Sequence, residues 1–338
     1  MQKFDEKALA WMLQIKKFGN LIGGTALLCF VLMVLGAAVR ATDSGLACPD
    51  WPLCHNQVIP TFDMHIFLEW LHRVVAGTLT LFVIAALVII KRHKILRFEF
   101  GRPLAFACVL LVIQIILGAF TIFHLLDPKV VSFHLINALF FFSILVWMHN
   151  TARSRVDTAG SSAQNASNFP LSFRLSLASM CILILVQIFL GGMVSTNHAG
   201  LACPDFPQCH GSWLPEMSFL VGLQVFHRIT AFLLLILAVS VSLVCSRIKI
   251  QTQLPPFAAL LIHCVPFLIV VQIGLGMVNV FYQLPRWASI SHLGTALLIY
   301  TFAFKAFLLL SSKQKVVTLT DAPINLVRQR SFLHEPTS

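Results

Sequence analysis

The chain has 338 residues, 58% of them hydrophobic and only 11% charged, with a mean hydropathy of +0.85. Soluble domains carry about 25% charged residues, so this composition excludes a soluble globular protein and predicts an all-α integral membrane protein. The formal net charge of +11 would suit a nucleic-acid binder, but its distribution tracks membrane topology and implies no nucleic acid.

Eight apolar stretches are long enough to cross a bilayer, at roughly 21–39, 70–90, 104–123, 131–149, 173–194, 220–244, 257–280 and 288–310. Lys3, Lys7, Lys16 and Lys17 precede the first, and Lys91, Arg92, Lys94, Arg97 and Arg102 join the second to the third. Arg153 and Arg155 follow the fourth, Arg247 and Lys249 the sixth, and Lys313, Lys315, Arg328 and Arg330 the eighth. The alternate loops are nearly bare: Arg40 borders one, and Lys129 and Arg286 are single charges in two others. This positive-inside pattern predicts that both termini are cytoplasmic. The first span is too long for a signal peptide and lacks a clear small-residue cleavage site, and Asp5 and Glu6 do not suit a transit peptide. A bacterial inner membrane is the expected home.

After the first span comes a long loop, about 40–66, containing Gly45-Leu-Ala-Cys-Pro-Asp-Trp-Pro-Leu-Cys-His55. Cys48 and Cys54 lie on the oxidising side, where a disulfide is the favoured reading. Covalent c-type haem attachment needs C-x-x-C-H, which the five-residue spacing does not match, and four suitably spaced thiolates for zinc are lacking within one half. Whether such a bridge is structural or redox-active is open at this level. The second span then opens with Glu69, His72 and Arg73. Glu69 and His72 are three residues apart and share a helix face, and ionisable groups at this depth are usually functional. A plainer role for Glu69 is a salt bridge to Arg73 or Arg40. Arg73 itself has three readings: snorkelling, pairing with an acid, or holding an anionic substituent at the membrane interface.

The fourth span opens with His134. The segment 151–170 is rich in Ser, Ala and Asn and reads as a flexible cytoplasmic linker. Beyond it the pattern begins again. Gly200-Leu-Ala-Cys-Pro-Asp-Phe-Pro-Gln-Cys-His210 repeats the first loop, so Cys203, Cys209, His227 and Arg228 match Cys48, Cys54, His72 and Arg73 at a displacement of 155. Gln114-Ile-Ile-Leu-Gly118 returns as Gln272-Ile-Gly-Leu-Gly276, and His134 as His292, both displaced by 158. Gln224 stands where Glu69 stood. Two tandem four-helix bundles are therefore expected, related by a pseudo-twofold axis along the membrane normal: 1–150, the linker 151–170, 171–312, and a cytoplasmic tail at 313–338.

His72, His134, His227 and His292 all lie in helices running from outside to inside, on the order of 5–10 Å below the outer boundary at 1.5 Å per residue. Any one of them could be helix glue, but four at symmetric positions suit paired axial ligands to a haem iron, one haem per half. The other histidines lack this symmetry and read as surface or local hydrogen-bonding residues. Cys29, Cys108, Cys181, Cys245 and Cys264 read as small buried hydrophobes.

Glu-x-x-His opening the second span, histidines opening spans four, six and eight, and paired loop cysteines together resemble the haem A synthase family over nearly the whole chain. That resemblance implies substrate haem O between His72 and His134, a haem b cofactor between His227 and His292, and Glu69 as the catalytic residue. It implies oxidation of the C8 methyl of haem O to a formyl group through a hydroxymethyl intermediate, making haem A for terminal oxidases. Arg73 and Arg228 would then contact propionates, and a haem O synthase, cytochrome oxidase assembly factors and an electron acceptor would be partners. Two rival readings are a di-haem membrane electron carrier linked to quinol and a haem transporter. Neither requires an acid in one half and an amide in the other.

Overall fold

The computed structural model describes residues 2–158, 169–252 and 254–311. Within these, eight helices are long and apolar enough to cross a membrane, and no strand is present. They are α1 (Gln2–Ala41), α2 (Met64–Arg92), α3 (Lys94–Phe123), α4 (Pro128–Thr158), α5 (Leu171–Thr196), α6 (Phe219–Thr252), α7 (Pro256–Phe281) and α8 (Arg286–Ser311). Helix is the form that satisfies every backbone polar group within one apolar segment, so the length and composition of each run dictate it. Part of the expected linker, 159–168, and the tail at 313–338 lie outside the described residues. The linker's first residues are helical, because α4 continues to Thr158. There Arg155 Nε donates to Glu99 Oε1 at 2.6 Å, fastening this end to α3.

The helices close into two rings. In the first, α1 packs on α2 and α4, and α3 on α2 and α4; in the second, α5 packs on α6 and α8, and α7 on α6 and α8. The rings meet through α1 and α4 on one side and α5 and α8 on the other. Small residues permit the closest approaches, as expected where lipid removes the hydrophobic drive between helices. A Cβ on Gly19 of α1 would lie 2.8 Å from Ala152 Cβ of α4, and one on Gly192 of α5 would lie 2.9 Å from Leu135 of α4. Ser143 of α4 and Tyr300 of α8 are hydrogen-bonded across the seam at 2.6 Å.

The connections repeat as the helices do. Leu125 and Leu126 turn α3 into α4 at positive φ, and Gln283 and Leu284 do the same between α7 and α8. Leu126 N–H donates to Thr121 O at 2.8 Å, and Leu284 N–H to Asn279 O at 2.7 Å. The two leucine side chains then reach Gly45 and Gly200, where an added Cβ would meet them at 3.2 and 3.0 Å. Each long loop is thus seated on the short turn of its own half, over the helix ends that carry the histidines.

Candidate functional site

His72 and His227 are the ninth residues of α2 and α6, and His134 and His292 the seventh of α4 and α8. All four therefore start from the long-loop end at closely matched depth. Each ring is pressed against a glycine of the preceding helix. A Cβ would lie 3.2 Å from the His72 ring at Gly36, 3.3 Å from His134 at Gly118, 3.0 Å from His227 at Gly191, and 3.4 Å from His292 at Gly276. Gly36 and Gly191 are displaced by the same 155 residues as their histidines. Sequence reasoning already held that offset but did not apply it to them.

Three glutamines one turn below these glycines hold the histidines. Gln114 Nε2 lies 3.1 Å from His134 Nε2, and Asn137 Nδ2 donates to Gln114 Oε1 at 2.7 Å. Gln187 Nε2 lies 3.1 Å from His227 Nδ1 and donates to His227 O at 2.9 Å, while Thr230 donates to Gln187 Oε1. Gln272 Nε2 donates to His292 O at 2.9 Å. Below His72 the equivalent residue is Leu32, so that imidazole lacks an amide neighbour of this kind.

These residues fit a haem between the helices. The His227 and His292 ring centres are 6.3 Å apart. A metal–imidazole bond of about 2 Å, with about 1.1 Å from nitrogen to ring centre on each side, requires much the same separation. The Nδ1 atoms of His72, His134 and His292 are buried without a hydrogen-bond partner, a condition costing about 1–3 kcal/mol each unless something completes the imidazole's bonding. The other described histidines behave differently. His55 Nε2 and His210 Nε2 bond to Ala47 O and Ala202 O at 2.9 and 3.0 Å, His149 to Gly19 O at 2.8 Å, and His263 to Ser242 at 2.7 Å.

Over each histidine pair sits a disulfide loop. Cys48–Cys54 and Cys203–Cys209 are both bridged, so the favoured reading of the cysteines stands. In each loop an aspartate closes the turn. Asp50 accepts from His55 N–H at 2.6 Å and Asn56 N–H at 2.7 Å, and Asp205 from His210 N–H at 2.8 Å and Gly211 N–H at 2.7 Å. These backbone donors, that of Asn56 or Gly211 foremost, hold each carboxyl below its ordinary value of 3.8. His55, Asn56, His210 and Gly211 all take positive φ here.

Arg73 and Arg228, expected from sequence to contact propionates, are engaged with the loops above them. Arg73 Nη1 donates to Asp50 O at 2.6 Å and to Leu53 O, and Nη2 to Cys48 O at 3.0 Å and Glu69 Oε1 at 2.6 Å. Arg228 donates to Asp205 O, Gln208 O and Cys203 O at 2.7–2.9 Å and lies over the Phe206 ring. The reason is backbone supply: a loop folded over a helix end has carbonyls with no ladder of their own, and buried carbonyls require donors. The guanidinium forks fasten the loops to α2 and α6.

Glu69 is 4% exposed and doubly engaged: Oε1 accepts from Arg73, and Oε2 accepts Cys48 N–H at 2.8 Å. The salt bridge considered from sequence is therefore present. Gln224, 5% exposed, instead donates to Gly200 O at 2.8 Å. The two halves thus share histidines, glycines, disulfide loops and arginine forks, and among their differences is a carboxylate, Glu69, at the junction of helix and loop where the other half has Gln224.

Such an architecture defines a class: a polytopic helical membrane protein with a pair of half-buried, glycine-seated imidazoles beneath a disulfide loop in each half. Residues 19–304 match the family model COX15-CtaA, described as cytochrome oxidase assembly protein, and the chain belongs to that family. Relatives named Heme A synthase include one from Shewanella oneidensis, 30% identical over 86% of this chain and 93% of the relative. Others come from Halalkalibacterium halodurans, 31% identical over 67% and 74%, and Exiguobacterium sibiricum, 31% identical over 69% and 77%.

Proposed function

We propose that this chain makes haem A, the activity its relatives are named for, by oxidising the C8 methyl of haem O. Residues 1–150 hold haem O between His72 and His134, and residues 171–312 hold haem b between His227 and His292. The long loops face outward and both termini lie in the cytoplasm of a bacterial cell, as the basic inner loops require. Haem O synthase and a cytochrome oxidase assembly factor are the partners this activity calls for. The observation that carries the reading is the single acid: Glu69 stands in one half and Gln224 in an otherwise matching setting in the other.

Converting a methyl to a formyl group with water removes four electrons and four protons, in two stages by way of the hydroxymethyl. If His72 and His134 both held the iron of haem O, attack by water at the macrocycle edge, with the electrons passed to an external acceptor, would be favoured over oxygen binding at iron. When bound, haem b supplies a one-electron redox centre in the second half. Glu69 is the acid–base group positioned to take a proton from the reacting carbon or to orient the water. Arg73 donates to one of its carboxylate oxygens, and Cys48 N–H fixes the other. Gln224 cannot titrate, so the second half conducts electrons without moving protons.

Co-expression with a haem O synthase, followed by haem extraction, mass determination and a pyridine haemochrome spectrum, tests this. Formyl-bearing haem A is expected from the wild type, and Glu69→Gln should retain bound haem while lowering the yield on the order of 100-fold or more. Haem O left unmodified by the wild type would overturn the function; haem A at the normal rate from Glu69→Gln would overturn the role of that residue.

A further inference from the structure

Three positions around Glu69 break the repeat in the same direction. Where the first half has Ser44, His65 and Glu69, the second has Ala199, Leu220 and Gln224, each displaced by 155. In each case a group that can carry a proton faces one that cannot.

The first-half residues form a chain. Ser44 is wholly buried, and its Oγ lies 3.0 Å from His65 Nδ1 and 2.7 Å from Thr42 Oγ1. His65 is in the first turn of α2 and is exposed at the loop end. Glu69 is one turn deeper on the same helix, so its Cβ is about 6 Å from that of His65 on a shared face. The strand of chain from Ser44 to Cys48 lies along this face and touches both residues: Ser44 Oγ meets His65, and Cys48 N–H meets Glu69. Ala47 N–H donates to Ser44 O at 3.0 Å and closes the turn between them. An i, i+4 pair of this kind is near enough for a bridging water to be part of the proposal.

We infer that His65 and Ser44 form the proton outlet of the first half, connecting buried Glu69 to water at the outer face. The inference rests on the proposed role of Glu69. In the step concerned, the Glu69 carboxylic acid gives its proton through a water to the His65 imidazole, which becomes imidazolium and returns to neutral by releasing a proton to bulk water. No electron moves in this step. Ser44, itself bonded to Thr42, holds the ring at Nδ1. Asp63, whose side chain accepts His65 N–H and Ile66 N–H at 2.9 and 3.3 Å, caps the same turn and adds a negative charge beside the exit. The second half, with Leu220, Ala199 and Gln224, has no outlet and on this account needs none.

The test uses haem-loaded protein in detergent, oxidised from the reduced state in a weakly buffered solution containing a pH-indicator dye. The wild type should release protons in step with haem oxidation. His65→Leu, which imports the second half's residue, should delay release by about tenfold or more, with unchanged haem spectra, and imidazole in the buffer should restore it. Ser44→Ala should give a smaller delay. Prompt release from His65→Leu overturns the outlet, as does absence of proton release from the wild type. A delay that imidazole leaves untouched, with shifted haem bands, also overturns it, because it shows His65 merely supporting the loop. Haem A yield from the same preparations tests the underlying activity separately: an inactive wild type with imidazole-rescued release would sink the proposed function and leave the outlet standing.

Discussion

At the scale of single residues, the separating feature is what a buried arginine has beside it. Arg73 and Arg228 hold the same three loop carbonyls in each half, but only Arg73 also neutralises a buried carboxylate. Removing one partner of a buried ion pair leaves an uncompensated charge and costs about 3–5 kcal/mol. Arg73→Ala should therefore lower thermal stability by about that much, while Arg228→Ala should cost less because Gln224 is neutral. Unfolding scans of the two variants in detergent check this, and equal losses would contradict the pairing. The fork itself was not legible in the sequence. A sequence shows a cation next to a ligand; it does not show that a disulfide loop will fold back and present bare carbonyls to it. Glu69 was legible because its counterpart is an amide, and Gly36 because it shares the offset of its histidine.

At the scale of elements, the two disulfide loops behave as caps with their own chemistry. Asp50 and Asp205 accept paired backbone N–H groups, and those donors favour the ionised carboxyl. A carboxyl whose value is lower in the folded state than in the unfolded chain adds stability above its unfolded value of 3.8 and loses it as pH falls through the folded value. The stability difference between wild type and Asp50→Asn should thus be constant from about pH 8 to pH 5 and shrink only below about pH 4. Thermal scans across that range check it, and a difference that vanished near pH 6 would contradict it. The existence and order of the helices were legible, since apolar runs of bilayer length have one solution in lipid, but α1 and α3 begin well before their apolar runs, at Gln2 and Lys94. Their extensions were less so: α4 outlasts its apolar run because the ion pair between Arg155 and Glu99 secures it, a contact between two helices that neither segment reveals alone.

At the scale of the whole molecule, duplication gives two similar halves, which differ at the loop end in Ser44, His65 and Glu69 against Ala199, Leu220 and Gln224. The repeat at 155 and 158 residues made the division into two halves readable before any coordinates. Which helices form the seam was not read from the sequence; α1, α4, α5 and α8 meet through small residues and a Ser143–Tyr300 bond. The central claim is that each half grips one haem between two imidazoles and that only the first half's haem is modified. It is tested most directly by counting and typing the haems extracted from purified protein carrying His72→Ala with His134→Ala, and from protein carrying His227→Ala with His292→Ala. The account predicts haem b alone in the first variant and haem O alone in the second; both haems persisting in either variant would contradict it.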